Sequence, residues 1–360
     1  MKNLKFKLAY KLIFALVPVF IYLIIFVCFD AYDYFGIQGK TNSNNPIKRV
    51  QNYINNPTEN IILGDSRFAH FDIELVNDIS KKEYSNIAFG GASLEESLDL
   101  FDFIYNIKPN LDTVVFELSF YTLNSNYGSV SRMETIETQL ENPIAYVSNL
   151  EYNVNMLTNI KNIIINAPTD EEKETRIPQE DDYIDINGNE YEYRKDLISY
   201  ASVLYSKCAK VNTLPKLEYN ENSKVVNLQT VYDAMLKDNS LNSAFSIDDK
   251  LLERLINISN LCKEQGINFI VVFPPMDKTV RTLVCDSLGI TEQMHEVLQK
   301  LTNSNVQLIN YEWVDKYSAD TNFFDGFHID ELNALPQFTE KMFTDIENAN
   351  DYIVTIGAIA

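Results

Sequence analysis

The chain has 360 residues, 46% of them hydrophobic, with only 11 Gly and 11 Pro, which excludes a mainly disordered, collagenous or low-complexity protein. Thirty Lys plus Arg stand against 51 Asp plus Glu, a net of −21. No basic surface is left to neutralise phosphates, so nucleic acid is excluded as a partner.

At about 150 residues per domain, this length suits two domains or one α/β domain carrying a large insertion. The charge is unevenly placed. Residues 1–30 hold Lys2, Lys5, Lys7 and Lys11 against Asp30 alone, leaving 26 basic and 50 acidic side chains, a net of −24, for the remainder. From Leu12 to Phe29 runs an uncharged stretch of 18 residues, LIFALVPVFIYLIIFVCF. Its length suits one crossing of a hydrocarbon core about 30 Å thick. Lysines before it and acids after it predict an N-terminus inside and a body outside. A cleaved signal peptide has a shorter apolar core and an A-x-A-like site, absent here, so residues 1–35 read as a retained single-pass anchor. Residues 36–58, rich in Asn and turn formers, read as a juxtamembrane linker.

The folded body is expected over residues 59–347, followed by a tail, 348–360. Asn60 to Leu63 is a short apolar run stopped by Gly64, the pattern of a buried strand. A second strand covers Tyr84 to Phe89, before Gly90 and Gly91. Ser93, with Glu96 three residues on, caps a helix whose stripe is Leu94, Leu98, Phe101 and Tyr105. Thr113 to Leu118 is a third strand. After a break, Ser246 is expected to cap a helix striped by Leu251, Leu252, Leu255, Ile258 and Leu261 and closed by Gly266. INFIVVF is a continuous apolar strand halted by Pro274 and Pro275. A helix near Glu292–Leu301, a strand from Val306 to Ile309, and a last helix within Glu331–Glu347 complete the pattern. Strands alternating with helices in two blocks predict an α/β fold with a parallel five-stranded sheet. Residues 125–245 do not continue this alternation and read as a large insertion. Within it, YIDINGNEYEYR signals a hairpin turning at Asn187-Gly188.

Four cysteines are present: Cys28 in the anchor, then Cys208, Cys262 and Cys285, with neither C-x-x-C nor zinc spacing. Small buried hydrophobes are expected, with no disulfide framework and no metal site.

Gly64-Asp65-Ser66-Arg67 directly follows the first strand. A serine at a strand's carboxyl end is held out of the sheet beside free backbone N–H groups, where a nucleophile with oxyanion donors is placed. Serine needs a base, and the chain offers three histidines. His295 sits in a charged helix and reads as a solvated residue. His70, four residues after Ser66, reads either as a substrate contact or as an ordinary packed side chain. His328, in FFDGFHID, lies three residues after Asp325, a spacing that lets the carboxylate fix the imidazole tautomer. Arg67 reads either as an anion contact for a substrate or as half of a salt bridge supporting the turn.

Together these segments resemble the SGNH/GDSL hydrolase superfamily, with GDS after the first strand, a glycine after the second and D-x-x-H past the fifth. The resemblance implies an SGNH-like, flavodoxin-like three-layer fold. It implies Ser66, Asp325 and His328 as the catalytic triad, and the N–H groups of Ser66 and Gly91 as the oxyanion hole. The third block departs: Glu117-Leu118-Ser119-Phe120 stands where the family has G-x-N-D, so Asn124 or Ser119 would have to supply the missing donor from an inward-turned loop. The single anchor, the GDSR serine and INFIVVFPPM are most similar to a membrane-anchored branch. That branch includes the D-alanyl-transfer protein of teichoic-acid biosynthesis and the alginate O-acetylation proteins. This likeness implies extracytoplasmic O-acyl transfer or ester hydrolysis on a cell-surface polysaccharide or glycopolymer. It also implies a membrane-bound O-acyltransferase as partner and no cofactor. An inactive glycan-binding or assembly module is the alternative.

Overall fold

The computed structural model describes residues 2–38, 45–126, 131–165, 180–184, 190–194, 208, 226–227, 245–286, 288–313, 323, 327–329 and 334–348. In chain order the helices are α1 (Lys2–Phe29), α2 (Pro46–Asn55), α3 (Ile73–Ser80), α4 (Leu94–Ile107), α5 (Met133–Glu141), α6 (Pro143–Val147), α7 (Leu150–Ile165), α8 (Asp249–Gln265), α9 (Lys278–Arg281), α10 (Ile290–Asn303) and α11 (Leu335–Asn348). The strands are β1 (Asn60–Leu63), β2 (Tyr84–Asn86), β3 (Thr113–Glu117), β4 (Glu180–Ile184), β5 (Glu190–Arg194), β6 (Val226–Asn227), β7 (Asn268–Phe273) and β8 (Gln307–Asn310). Two compact units result, one from residues 1–55 and 132–175, the other from 56–131 and 176–360.

The second unit is α/β. Its five-stranded sheet is parallel throughout, in the order β2-β1-β3-β7-β8. Counting only these strands, that is 2-1-3-4-5, a doubly wound order whose ligand crevice lies past the carboxyl ends of the strands at the switch point. The central strands β1, β3 and β7 are nearly continuous apolar, buried runs because both faces are covered. On one face Ile62, Val115, Ile270, Val272 and Ile309 pack against Val76 of α3 and Phe338, Met342 and Phe343 of α11. On the other, Phe269 meets Phe101 of α4 edge-on at 5.8 Å and Phe116 at 5.6 Å. Each such side chain taken from water contributes about 1.5–3 kcal/mol, enough to hold short strands in register.

Local signals set the helix ends. The Ser93 hydroxyl accepts from the Glu96 N–H, as the capping box requires. For α8 the cap is Asp248, not Ser246: its carboxylate accepts from the N–H groups of Lys250 and Leu251, while Ser246 pairs with the loop after β3. Gly266 closes α8 in the left-handed conformation. α11 starts at Leu335 with Pro336 in its first turn, where no hydrogen bond is lost. The hairpin strands are β4 and β5, paired antiparallel, with β6 added parallel to β4. The Asn187-Gly188 turn itself lies outside the described residues, as do residues 349–360 of the tail.

The first unit is helical. α1 continues through Pro18, and its described side chains from Ile13 to Ile25 are mainly exposed and apolar. Among the described residues, no helix is long and apolar enough to cross a membrane. Residues 46–55, read as spacer, form α2. Asn45 caps it and Pro46 begins it, and Ile47, Val50 and Tyr53, three apart, are buried. Asp30 is also buried, its carboxylate accepting from Tyr146 Oη at 2.6 Å and from the backbone N–H of Tyr34 at 2.6 Å and of Tyr32 at 3.2 Å. The Tyr34 ring stacks on Tyr146 at 4.1 Å. The segment following α1 is thereby stitched to α5–α7, so the start of the expected insertion belongs with the N-terminus.

Candidate active site

The end of β1 is shaped by one steric demand. At Gly64, φ is +153°, and an added Cβ would lie 2.5 Å from Glu117 Cβ and 2.6 Å from its Oε2. Only glycine lets the chain pass the neighbouring β3 end this closely. Next, the Asp65 side chain folds back to accept the Arg67 N–H at 2.9 Å. The Asp65 carbonyl accepts the N–H groups of Phe68 and Ala69 at 3.3 and 3.1 Å, starting a helical turn. Ser66 is thus held at the mouth of that turn, half-buried. Among the described residues nothing accepts its backbone N–H.

The Ser66 Oγ lies 2.7 Å from His328 Nε2, across 262 positions of chain. This is the separation a general base needs to take a hydroxyl proton; in the tautomer that leaves Nε2 unprotonated, the serine donates. His328 is placed by an isolated bridge between Phe323 and Ile329. Its partner in the expected triad, Asp325, lies outside the described residues. After β2, the Ala92 N–H donates to the Phe89 carbonyl at 3.2 Å around a turn whose third residue, Gly91, has φ +73°. A type II turn reserves that position for glycine. Gly90 faces the serine, its Cβ direction pointing to Ser66 Cβ at 4.0 Å.

Beneath Ser66 is a buried polar network that sequence reasoning missed. Glu117 Oε2 accepts the Asp65 N–H at 2.6 Å, and Oε1 accepts the Ser119 hydroxyl. The Tyr121 hydroxyl donates to Asp65. Arg67 lies at the centre: Nη1 pairs with Glu312 Oε1 at 2.8 Å, and Nη2 donates to the Pro274 and Pro275 carbonyls at 2.6 and 2.7 Å. The guanidinium also stacks on Phe327, 4.1 Å from the ring centre, next to His328. Its ion pair is sealed, with side-chain exposures of 2% and 0%. Of the two readings of Arg67, the structure therefore bears out the salt bridge and corrects the substrate contact, because the fork is turned inward and engaged.

Three carboxyls, of Glu312, Glu117 and Asp65, act on the Arg67 guanidinium, and Arg281 adds a second, weaker pull on Glu312. Burial, and secondarily the charge of Asp65, push the Glu117 carboxyl well above its usual range. Burial also pushes Glu312 up to about 7, against the opposing pull of Arg67. The signal for these residues was present as a glutamate ending the apolar run TVVFEL and another just past the last strand, in YEW. An acid in a buried run is costly unless it is paired.

The other candidates lie as follows. Asn124 is buried, its carboxamide oxygen accepting from the N–H groups of Asn126 at 3.1 Å and Ser246 at 3.2 Å, which ties the β3 loop to the entry of α8. His70 is exposed, and His295 is half-buried on α10. Cys208, Cys262 and Cys285 are buried and Cys28 exposed, none in a disulfide. Among the described residues, no group of His, Cys, Asp or Glu side chains is arranged to hold a metal ion. The chain matches no protein-family model and no curated protein.

Proposed function

We propose that this protein is a membrane-anchored, extracytoplasmic serine acyltransferase or esterase of the SGNH type, acting on a cell-surface polysaccharide or glycopolymer. The carrying observation is the 2.7 Å approach of Ser66 Oγ to His328 Nε2 at the carboxyl ends of a doubly wound parallel sheet. In this reading, Ser66 attacks an ester carbonyl while His328 takes its proton. The N–H groups of Ser66 and Gly91 receive the oxyanion, helped by Asn124 if its carboxamide turns inward on substrate binding. His328 then returns the proton to the leaving alcohol, and the acyl group remains on Ser66. Water or a sugar hydroxyl, deprotonated by His328, releases it. Asp325 has the role of holding His328. His70, exposed four residues after Ser66, is the proposed acceptor contact.

The membrane reading rests on the uncharged run Leu12–Phe29, the exposed apolar side chains along it and the four lysines before it. A membrane-bound O-acyltransferase is the proposed donor-side partner.

The test is intact-mass detection of an acyl adduct with a small activated ester, comparing native protein with Ser66→Ala. Adduct on the native protein alone is expected. Equal labelling of both, or labelling of neither with no transfer to any glycan acceptor, would move the assignment to a non-catalytic module.

A further inference from the structure

The described part of the segment that carries His328 is a bend, closed on itself by the bridge between Phe323 and Ile329. Phe323 and Ile329 are buried in the apolar core shared with α3 and α11, which holds the two ends of the bend. Phe327, the residue next to the base, is also buried but turns towards the nucleophile.

Phe327 meets two side chains, and Asp65 joins them. The Arg67 guanidinium covers the Phe327 ring at 4.1 Å from its centre, within cation–π range. The Tyr121 ring, from the loop after β3, lies 5.7 Å away at an interplanar angle of 55°. The Asp65 carboxylate accepts the Arg67 N–H at 2.9 Å on Oδ1 and the Tyr121 hydroxyl on Oδ2. The guanidinium is itself fixed, since Glu312, Pro274 and Pro275 hold it at 2.8, 2.6 and 2.7 Å. Asp65 and Arg67 flank Ser66, and Phe327 precedes His328. A closed circuit therefore runs from Ser66 through Arg67 and Phe327 to His328, and across 2.7 Å back to Ser66.

The tolerance at that last step is small. A general base works across about 2.6–3.2 Å, so a retreat of about 0.5 Å takes His328 Nε2 from 2.7 Å to the edge of the range. A misplacement of about 1 Å costs about 10²-fold in rate. Catalytic groups keep such geometry only where packing locks the residues behind them.

On the serine-acyl reading above, which this inference rests on, we infer that Phe327 and Tyr121 are positioning residues that key His328 onto Ser66. Both are buried, at 0% and 3% exposure, so they act through other residues and not on substrate. Phe327 acts through the base beside it. Tyr121 acts by holding the Phe327 ring against the turn that Asp65 organises. The base is thereby registered against the two residues that bracket the nucleophile.

The test follows single-turnover acylation of the full-length protein by p-nitrophenyl acetate, with Phe327→Leu and Tyr121→Phe each made alone and together with His328→Ala. Phe327→Leu keeps an apolar side chain but loses the face that Arg67 covers, and Tyr121→Phe loses only the hydroxyl. At saturating ester, Phe327→Leu is expected to slow acylation by about 10²-fold with KM unchanged, and Tyr121→Phe to slow it less. In the His328→Ala protein, which keeps the residual rate of its oxyanion donors, neither change slows acylation further. A residue that acts through the base then has nothing left to place. Acylation of Phe327→Leu at the parent rate, a loss carried by KM, or an equal loss in the His328→Ala background would overturn the positioning role and leave the serine reading standing. Where Phe327→Leu proves unfolded by circular dichroism, the Tyr121→Phe cycle decides by the same criteria. No adduct on the parent, or equal labelling of parent and Ser66→Ala, would remove the serine reading and this inference together.

Discussion

Replacing Arg67 by Met removes a guanidinium that is sealed from water and leaves Glu312, fully buried, without the cation it contacts, only the weaker pull of Arg281 remaining. Breaking a buried pair from one side costs about 3–5 kcal/mol, and the Pro274 and Pro275 carbonyls lose their donors as well. At about 2–4 °C per kcal/mol, the melting temperature falls by about 6–20 °C. The loss grows with pH. Arg67 opposes the upward push of burial on Glu312, so without it the carboxyl stays neutral longer, and its ionisation is most costly above about 7. Calorimetry of the full chain at pH 5 and pH 8 reads both effects. The double variant Arg67→Met/Glu312→Leu regains most of the stability, since an apolar pair of similar volume replaces a buried charge pair at little cost. Arg67→Lys does not, because one ammonium cannot serve Glu312 and both proline carbonyls in fork geometry. An Arg67→Met protein that melts within a degree or so of the parent and changes only KM for an anionic acceptor would refute the bracing role.

Gly64→Ala puts a methyl group against Glu117 Cβ in a conformation with φ +153°, and strain plus overpacking are expected to cost about 2–6 kcal/mol. Thermal melts should show partial recovery in Gly64→Ala/Glu117→Gly and less in Gly64→Ala/Glu117→Ala, which keeps the offending Cβ; equal recovery would assign the strain elsewhere. Glu312→Gln tests the pH linkage. Because the folded carboxyl is raised to about 7, its contribution to stability is complete below about 4.5 and is lost as pH rises to about 7, a change of about 3 kcal/mol. The difference in melting temperature between parent and Glu312→Gln should fall across that window and flatten above it, and a constant difference from pH 4 to 8 would contradict the assignment.

The strands of the sheet were legible because a strand buried on both faces must be a continuous apolar run. Asn60–Leu63, Thr113–Glu117 and Asn268–Phe273 each stand within a residue or so of where the sequence puts them. Ser66 and His328 were legible for a related reason: in this topology, strand-end loops converge however far apart they lie in sequence. The cap of α8 was misplaced by two residues because Ser246 and Asp248 are both good caps, and the serine's N–H is taken by Asn124. α2 was read as spacer because its short apolar pattern needs a partner surface, and that surface comes from helices about ninety residues further on. The direction of Arg67 likewise follows from partners contributed by other segments. A guanidinium beside a nucleophile serves a substrate or a scaffold with the same chemistry, and only Glu312, Pro274, Pro275 and Phe327, brought beneath it by three other segments, turn it inward. Sequence by itself determined what the local chain prefers and where chemistry sits along it. The tertiary structure decided which buried charges meet, because desolvation makes each of them costly until a partner from elsewhere in the chain arrives.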